Sequence, residues 1–99
     1  MIPSWRKVPG WLTDGPDGRW RDVELLKREA ARVPAGQAIV EIGSWCGQTA
    51  LLLRESARPD VPVICFDPYP DDAIEGNAGI SQSEARVTFA RIIAEWRQS

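Results

Sequence analysis

The stretch that decides the fold is Ala38-Ile39-Val40-Glu41-Ile42-Gly43-Ser44-Trp45-Cys46-Gly47-Gln48-Thr49-Ala50-Leu51-Leu52-Leu53. Residues 38–42 are an apolar run broken by one acid, rich in β-branched side chains and bounded by Gly36 and Gly43. A buried parallel strand fits that pattern best. Residues 43–47 hold two glycines and read as a tight loop, and from Gln48 to about Ser56 the three leucines offer the broad apolar face of a helix. A second short run, Pro62-Val63-Ile64-Cys65-Phe66, supplies another strand. Strand, loop, helix and strand make a crossover unit whose strands must be parallel if they pair. The expected class is α/β, with part of a doubly wound parallel sheet.

Outward from this unit the chain alternates loops and helices. Upstream, the apolar positions Trp20, Val23, Leu26, Ala30 and Val33 recur at steps of three or four, which predicts a helix over 17–33, opened by Asp17 and closed by Pro34 and Gly36. Residues 1–16 form an irregular, Pro- and Gly-containing lead-in whose apolar exceptions are Trp5, Trp11 and Leu12. Tryptophans in such a segment fold back onto a core or onto a partner, because leaving that much apolar area wet is unfavourable. Downstream, residues 67–80 read as a long loop with Pro68, Pro70, Gly76 and Gly79. Ser81 then opens a third helix with capping-box spacing to Glu84, and Val87, Phe89, Ile92, Ile93 and Trp96 form its apolar stripe to the end of the chain. The domain is thus expected over 17–99 behind the lead-in. Two strands make a marginal sheet. Either the chain is a fragment, or it completes itself with another chain, as a homodimer through an uncovered sheet edge.

Composition narrows the function classes. A chain of 99 residues is one domain with a thin core, and 43% hydrophobic with 26% charged residues is an ordinary globular balance. The expectation is a folded, soluble protein of the cytoplasm, with no apolar signal sequence and no run long enough to span a bilayer. A net charge of -2 gives no broad attraction to nucleic acid or anionic lipid. Arg19, Arg21, Lys27, Arg28 and Arg32 alternate with Asp22, Glu24 and Glu29 and read as a solvated helix face. The absence of histidine removes the commonest general base and metal ligand, and with it any Ser-His-Asp triad. Asp71, Asp72 and Glu75 read as a solvated loop rather than a metal site. Cys46 and Cys65, separated by a helix, are not expected to form a disulfide. Cys46 stands at a helix start, where the dipole can activate a thiol, but without histidine it reads as an ordinary loop residue; Cys65 reads as a core thiol.

The chemistry-bearing pattern is the loop after the first strand combined with the acid after the second. Gly43 allows a sharp exit from the strand, and Gly47 lets the helix begin close to it. The helix N-terminus offers free N-H groups to a ligand. About twenty residues on, the second strand ends in Asp67, where an acid in a nucleotide-binding βαβ unit accepts hydrogen bonds from ribose hydroxyls. Separately, the glycines could be a tight turn and Asp67 a turn residue before Pro68. At this spacing the two features reinforce each other.

Glu-Ile-Gly-Ser-Trp-x-Gly-Gln-Thr at 41–49, with Cys-Phe-Asp-Pro-Tyr at 65–69, resembles the first two motifs of class I S-adenosylmethionine-dependent methyltransferases. The nearest branch has Glu-Ile-Gly-Ser, an aromatic residue, then x-Gly-Arg-Ser, and Pro9-Gly10-Trp11-Leu12 resembles its lead-in. The likeness covers roughly residues 9 to 95. It implies the β-α-β-α front part of a Rossmann-like doubly wound sheet and S-adenosylmethionine as cofactor. Gly43, Ser44, Trp45 and Gly47 would lie along its methionine and ribose portions, with Glu41 supporting the loop or reaching the amino group through water. Asp67 would hold the ribose hydroxyls, and Pro68 and Tyr69 would flank the adenine. Trp45 stands where the family more usually has a middle glycine. The family's later strands and acceptor-binding elements have no counterpart here, so no catalytic residue is assigned, and the 99 residues alone are expected to have little or no activity. Two other readings stay open. A non-catalytic nucleoside-binding or subunit-interaction module is one; a fragment of an NAD-dependent oxidoreductase is the other, disfavoured because the loop lacks Gly-x-Gly-x-x-Gly spacing.

Overall fold

The computed structural model describes residues 4–13, 20–69 and 79–98. It contains α1 (Trp20–Arg32), β1 (Ile39–Ile42), α2 (Gln48–Ser56), β2 (Val63–Phe66) and α3 (Gln82–Gln98), preceded by a short 3-10 helix at Trp5–Lys7. The expected opening of α1 at Asp17 and the acids Asp71, Asp72 and Glu75 lie outside the described residues. Among the described residues the protein is an α/β domain with a two-stranded parallel sheet.

β1 and β2 pair Ile39 with Val63, Val40 with Ile64, Glu41 with Cys65 and Ile42 with Phe66. Backbone bonds extend the ladder at both ends, from Ile39 N-H to Pro62 C=O at 2.9 Å and from Gly43 N-H to Phe66 C=O at 2.7 Å. Side chains alternate between the faces, as the pleat requires. Ile39, Glu41, Val63 and Cys65 are half-buried, whereas Val40, Ile42, Ile64 and Phe66 are exposed. This corrects the reading of strands buried on both faces: among the described residues the helices cover one face only.

On the covered face, Ile39 and Val63 pack against Ala30 of α1 and against Leu53 and Ala57 at the end of α2. The larger core gathers Trp5, Val8, Val23, Trp45, Cys46, Leu51, Leu52, Ala85 and Ile92. Trp5 therefore folds back as its apolar area demands, held by a turn in which Ser4 Oγ accepts the Arg6 N-H. In α3 the buried positions are Ala85, Phe89 and Ile92, with Trp96 half-buried, a stripe at steps of four and three. Val87, two residues from Ala85 and Phe89, and Ile93, next to Ile92, lie off that stripe and are exposed, contrary to their expected places in it. The start of α3 agrees with its capping signal: Ser81 Oγ accepts the Glu84 N-H at 3.1 Å.

The connection from α2 to β2 is fixed by Arg54. Its Nη1 donates to Val61 C=O at 2.7 Å and its Nη2 to Arg58 C=O at 2.6 Å, so one guanidinium spans the turn that feeds the second strand. No helix among the described residues is long and apolar enough to cross a membrane.

Candidate functional site

Pairing β1 with β2 in parallel brings the loop after β1 and the acid after β2 to the same end of the sheet. Gly43, Trp45 and Gly47 all have positive φ, at 90°, 47° and 98°. A left-handed backbone suits glycine and strains tryptophan. At Gly43 a Cβ would meet nothing within 4 Å, so φ alone accounts for glycine there and the space beside it is open. Gly47 differs. A Cβ there would stand 2.9 Å from Phe89 Cδ1, so the ring of α3, rather than the neighbouring strand, adds to the demand that its φ already makes for glycine. Gly47 is also the N-cap of α2 and offers no side-chain acceptor to the helix's first N-H groups.

Asp67 closes the site. Its Oδ2 accepts the Trp45 N-H at 2.7 Å and its Oδ1 accepts the Tyr69 N-H at 2.8 Å. The Tyr69 O-H in turn donates to the Trp45 C=O. Asp67 thus staples the glycine loop to the end of β2, a role its position in the sequence did not reveal. An ionised carboxylate has about four lone-pair sites, so each oxygen retains one for a hydroxyl donor. Burial pushes the Tyr69 phenol well above its usual range, and the Asp67 charge adds to the shift. Pro68 is exposed and Tyr69 half-buried.

Beneath the loop lies a second polar group. Burial raises the Glu41 carboxyl above its ordinary value; the nearby Ser44 hydroxyl and Cys65 thiol oppose that shift, and the Asp67 charge reinforces it. Even so, Glu41 Oε1, Ser44 Oγ and Trp45 Nε1 are buried with no hydrogen-bond partner. Buried polar atoms left unpaired are costly and few in native proteins. Ser44 and Trp45 lie on the loop and Glu41 near the end of β1, so the three gather close to where the strand leaves the sheet. Of the residues read from the sequence, Glu41, Gly43, Ser44, Trp45, Asp67 and Tyr69 meet around this loop. Gly47 is turned toward α3.

Gln48 was missed. It is buried at the start of α2, where its Oε1 accepts the Leu12 N-H at 2.9 Å and its Nε2 donates to the Leu12 C=O at 3.1 Å. This two-point amide contact holds the lead-in across the helix start, and a Cβ on Gly10 would collide with the Gln48 side chain at 2.0 Å. Trp11 is thereby set with its ring centroid 5.3 Å from that of Trp45. The available signal was a polar residue opening an otherwise apolar helix face. Cys46, by contrast, is fully buried, and burial followed by the Glu84 charge raises its thiol, the reverse of activation. Both cysteines are free. Among the described residues, no group of three or more His, Cys, Asp or Glu could hold a metal ion.

No family model, curated protein or solved structure matches this chain.

Proposed function

We propose that this chain is a Rossmann-like cofactor-binding unit for S-adenosylmethionine, the front part of a methyltransferase. The observation that carries the reading is the hydrogen bond from Trp45 N-H to Asp67 Oδ2, because it joins the two motifs into one site at the carboxyl ends of parallel strands. S-adenosylmethionine supplies a methyl group activated on a sulfonium. This chain's residues bind and orient it. Asp67 uses its remaining lone pairs for the ribose hydroxyls, and Gly43 leaves room for close approach to the backbone. Glu41 supports the loop or reaches the ammonium of the methionine portion through water. Pro68 and Tyr69 flank the base, with the Tyr69 hydroxyl already committed to Trp45 and so held in place. The acceptor of the methyl group has no assigned site among these residues.

The test is a calorimetric titration with S-adenosylhomocysteine, in parallel with NAD and with Asp67→Ala. The expected outcome is saturable binding of S-adenosylhomocysteine, none of NAD, and a loss of at least about tenfold in the variant, in keeping with a hydrogen bond to a charged group. Because Asp67 also braces the loop, circular dichroism must show the variant folded. A folded wild-type chain that binds no S-adenosylhomocysteine would sink the proposal.

A further inference from the structure

Trp45 carries the strain of the glycine loop. Its φ of 47° lies in the left-handed region, which a bulky residue keeps only where its surroundings over-determine it. On the backbone side the restraint comes from Asp67 and Tyr69, which hold the Trp45 N-H and C=O. On the ring side it comes from the lead-in. The Trp11 and Trp45 rings form a tilted pair, 5.3 Å between centroids and 34° between planes, an arrangement aromatic side chains favour. Trp45 is 8% exposed and Trp11 51%, so Trp11 is the outer ring and Trp45 the inner one.

The lead-in is fastened on both sides of Trp11. Upstream, Trp5 and Val8 enter the core. Downstream, Leu12 gives its N-H to Gln48 Oε1 and accepts Gln48 Nε2 on its C=O, the two-point contact already described. Gln48 is buried and stands three residues from Trp45, so the clasp and the strained residue lie within one turn of chain. Gly10 completes the fit. Its φ is not positive, so its conformation makes no demand for glycine; the collision of a Cβ with Gln48 does. We propose that residues 10–12 are a strap that locks the glycine loop, so that the loop leaves its strained conformation only after Leu12 has left Gln48. An amide that gives up both bonds at once leaves polar atoms unpaired, so the strap opens as a unit rather than by fraying. Coupling of this kind is reciprocal: whatever holds the loop also tightens the strap. The device belongs to the loop itself and stands apart from the identity of any ligand, so it does not rest on the cofactor reading.

The experiment is amide hydrogen exchange by NMR on the full 99-residue chain, with Gln48→Met and Gly10→Ala alongside. Methionine keeps the length of the side chain and removes both bonds, whereas alanine at 10 pushes the strap off and leaves α2 unaltered. The readouts are the N-H groups of Leu12 and Trp45, with Ala57 N-H, bonded to Leu53 C=O at the far end of α2, as the reference. In wild type, Trp45 N-H is expected to be at least as protected as Leu12 N-H. In both variants Leu12 and Trp45 N-H should lose protection by about tenfold or more, and Ala57 N-H by less than about threefold, since a local opening leaves the rest of the fold closed. A folded variant of either kind that keeps Trp45 N-H protected overturns the proposal, because the strap then lies on the loop without holding it. An equal fall at all three amides overturns it too, since the contact would then serve only overall stability. Should neither variant fold, the wild-type order decides: Trp45 N-H exchanging faster than Leu12 N-H shows that the loop opens beneath a closed strap, and overturns the proposal.

Discussion

At the scale of single residues, Glu41 shows how a buried carboxyl can weaken the fold. Its carboxyl is raised chiefly by burial, so the folded chain holds the proton to higher pH than the unfolded chain does. Its contribution to stability is therefore full below the unfolded value and is lost as pH rises through the raised folded value. Glu41→Gln cannot ionise. It should unfold at a higher urea concentration than wild type at neutral pH, and the difference should vanish below about pH 4, where a free glutamate is protonated. Urea titrations at a series of pH values measure this, and a constant difference across them would show that Glu41 titrates alike in both states. The candidate site residues Gly43, Glu41 and Asp67 were legible because the glycine loop and the acid stand at the spacing of a strand-helix-strand crossover. Gln48 was not, since nothing local to it says that a segment 36 residues earlier returns to its amide. The staple formed by Asp67 was equally hidden, because its partner Trp45 is 22 residues away.

Among the elements, α2 was readable over its whole length, and α3 matched its expected start because capping at Ser81 is a local interaction. Boundaries elsewhere moved by a residue: β1 begins at Ile39 and β2 at Val63, since only residues inside the ladder count as strand. What joins α2 to β2 is less local. Arg54 satisfies the carbonyls of both Arg58 and Val61, and Val61 is fully buried. Arg54→Ala would leave a carbonyl beside the core without its charged donor, and a loss of about 1.5–3 kcal/mol is expected. Chemical denaturation measures it, and a change within about 0.5 kcal/mol, the range of an ordinary surface substitution, would mean that water replaces the guanidinium without cost.

For the whole molecule, the thin core and the bare sheet face belong together. Val40, Ile42, Ile64 and Phe66 leave one face of the sheet exposed, so these side chains add little to the burial that holds the fold. Ile42→Lys should therefore change stability by no more than about 0.5 kcal/mol in chemical denaturation, and a larger loss would show that this face is packed in solution. The sequence by itself determined the α/β class, the parallel pairing, the helix periods and the meeting of Asp67 with the glycine loop, since these follow from short-range patterns and from the geometry of a crossover. Only the tertiary structure decided which face of the sheet is covered, that Gly47 yields to Phe89, that the lead-in is pinned by Gln48, and that Asp67 is a staple as well as a candidate ligand contact. Alternating apolar residues on a strand satisfy either face equally, and side-chain contacts between distant segments exist only once the chain has closed on itself.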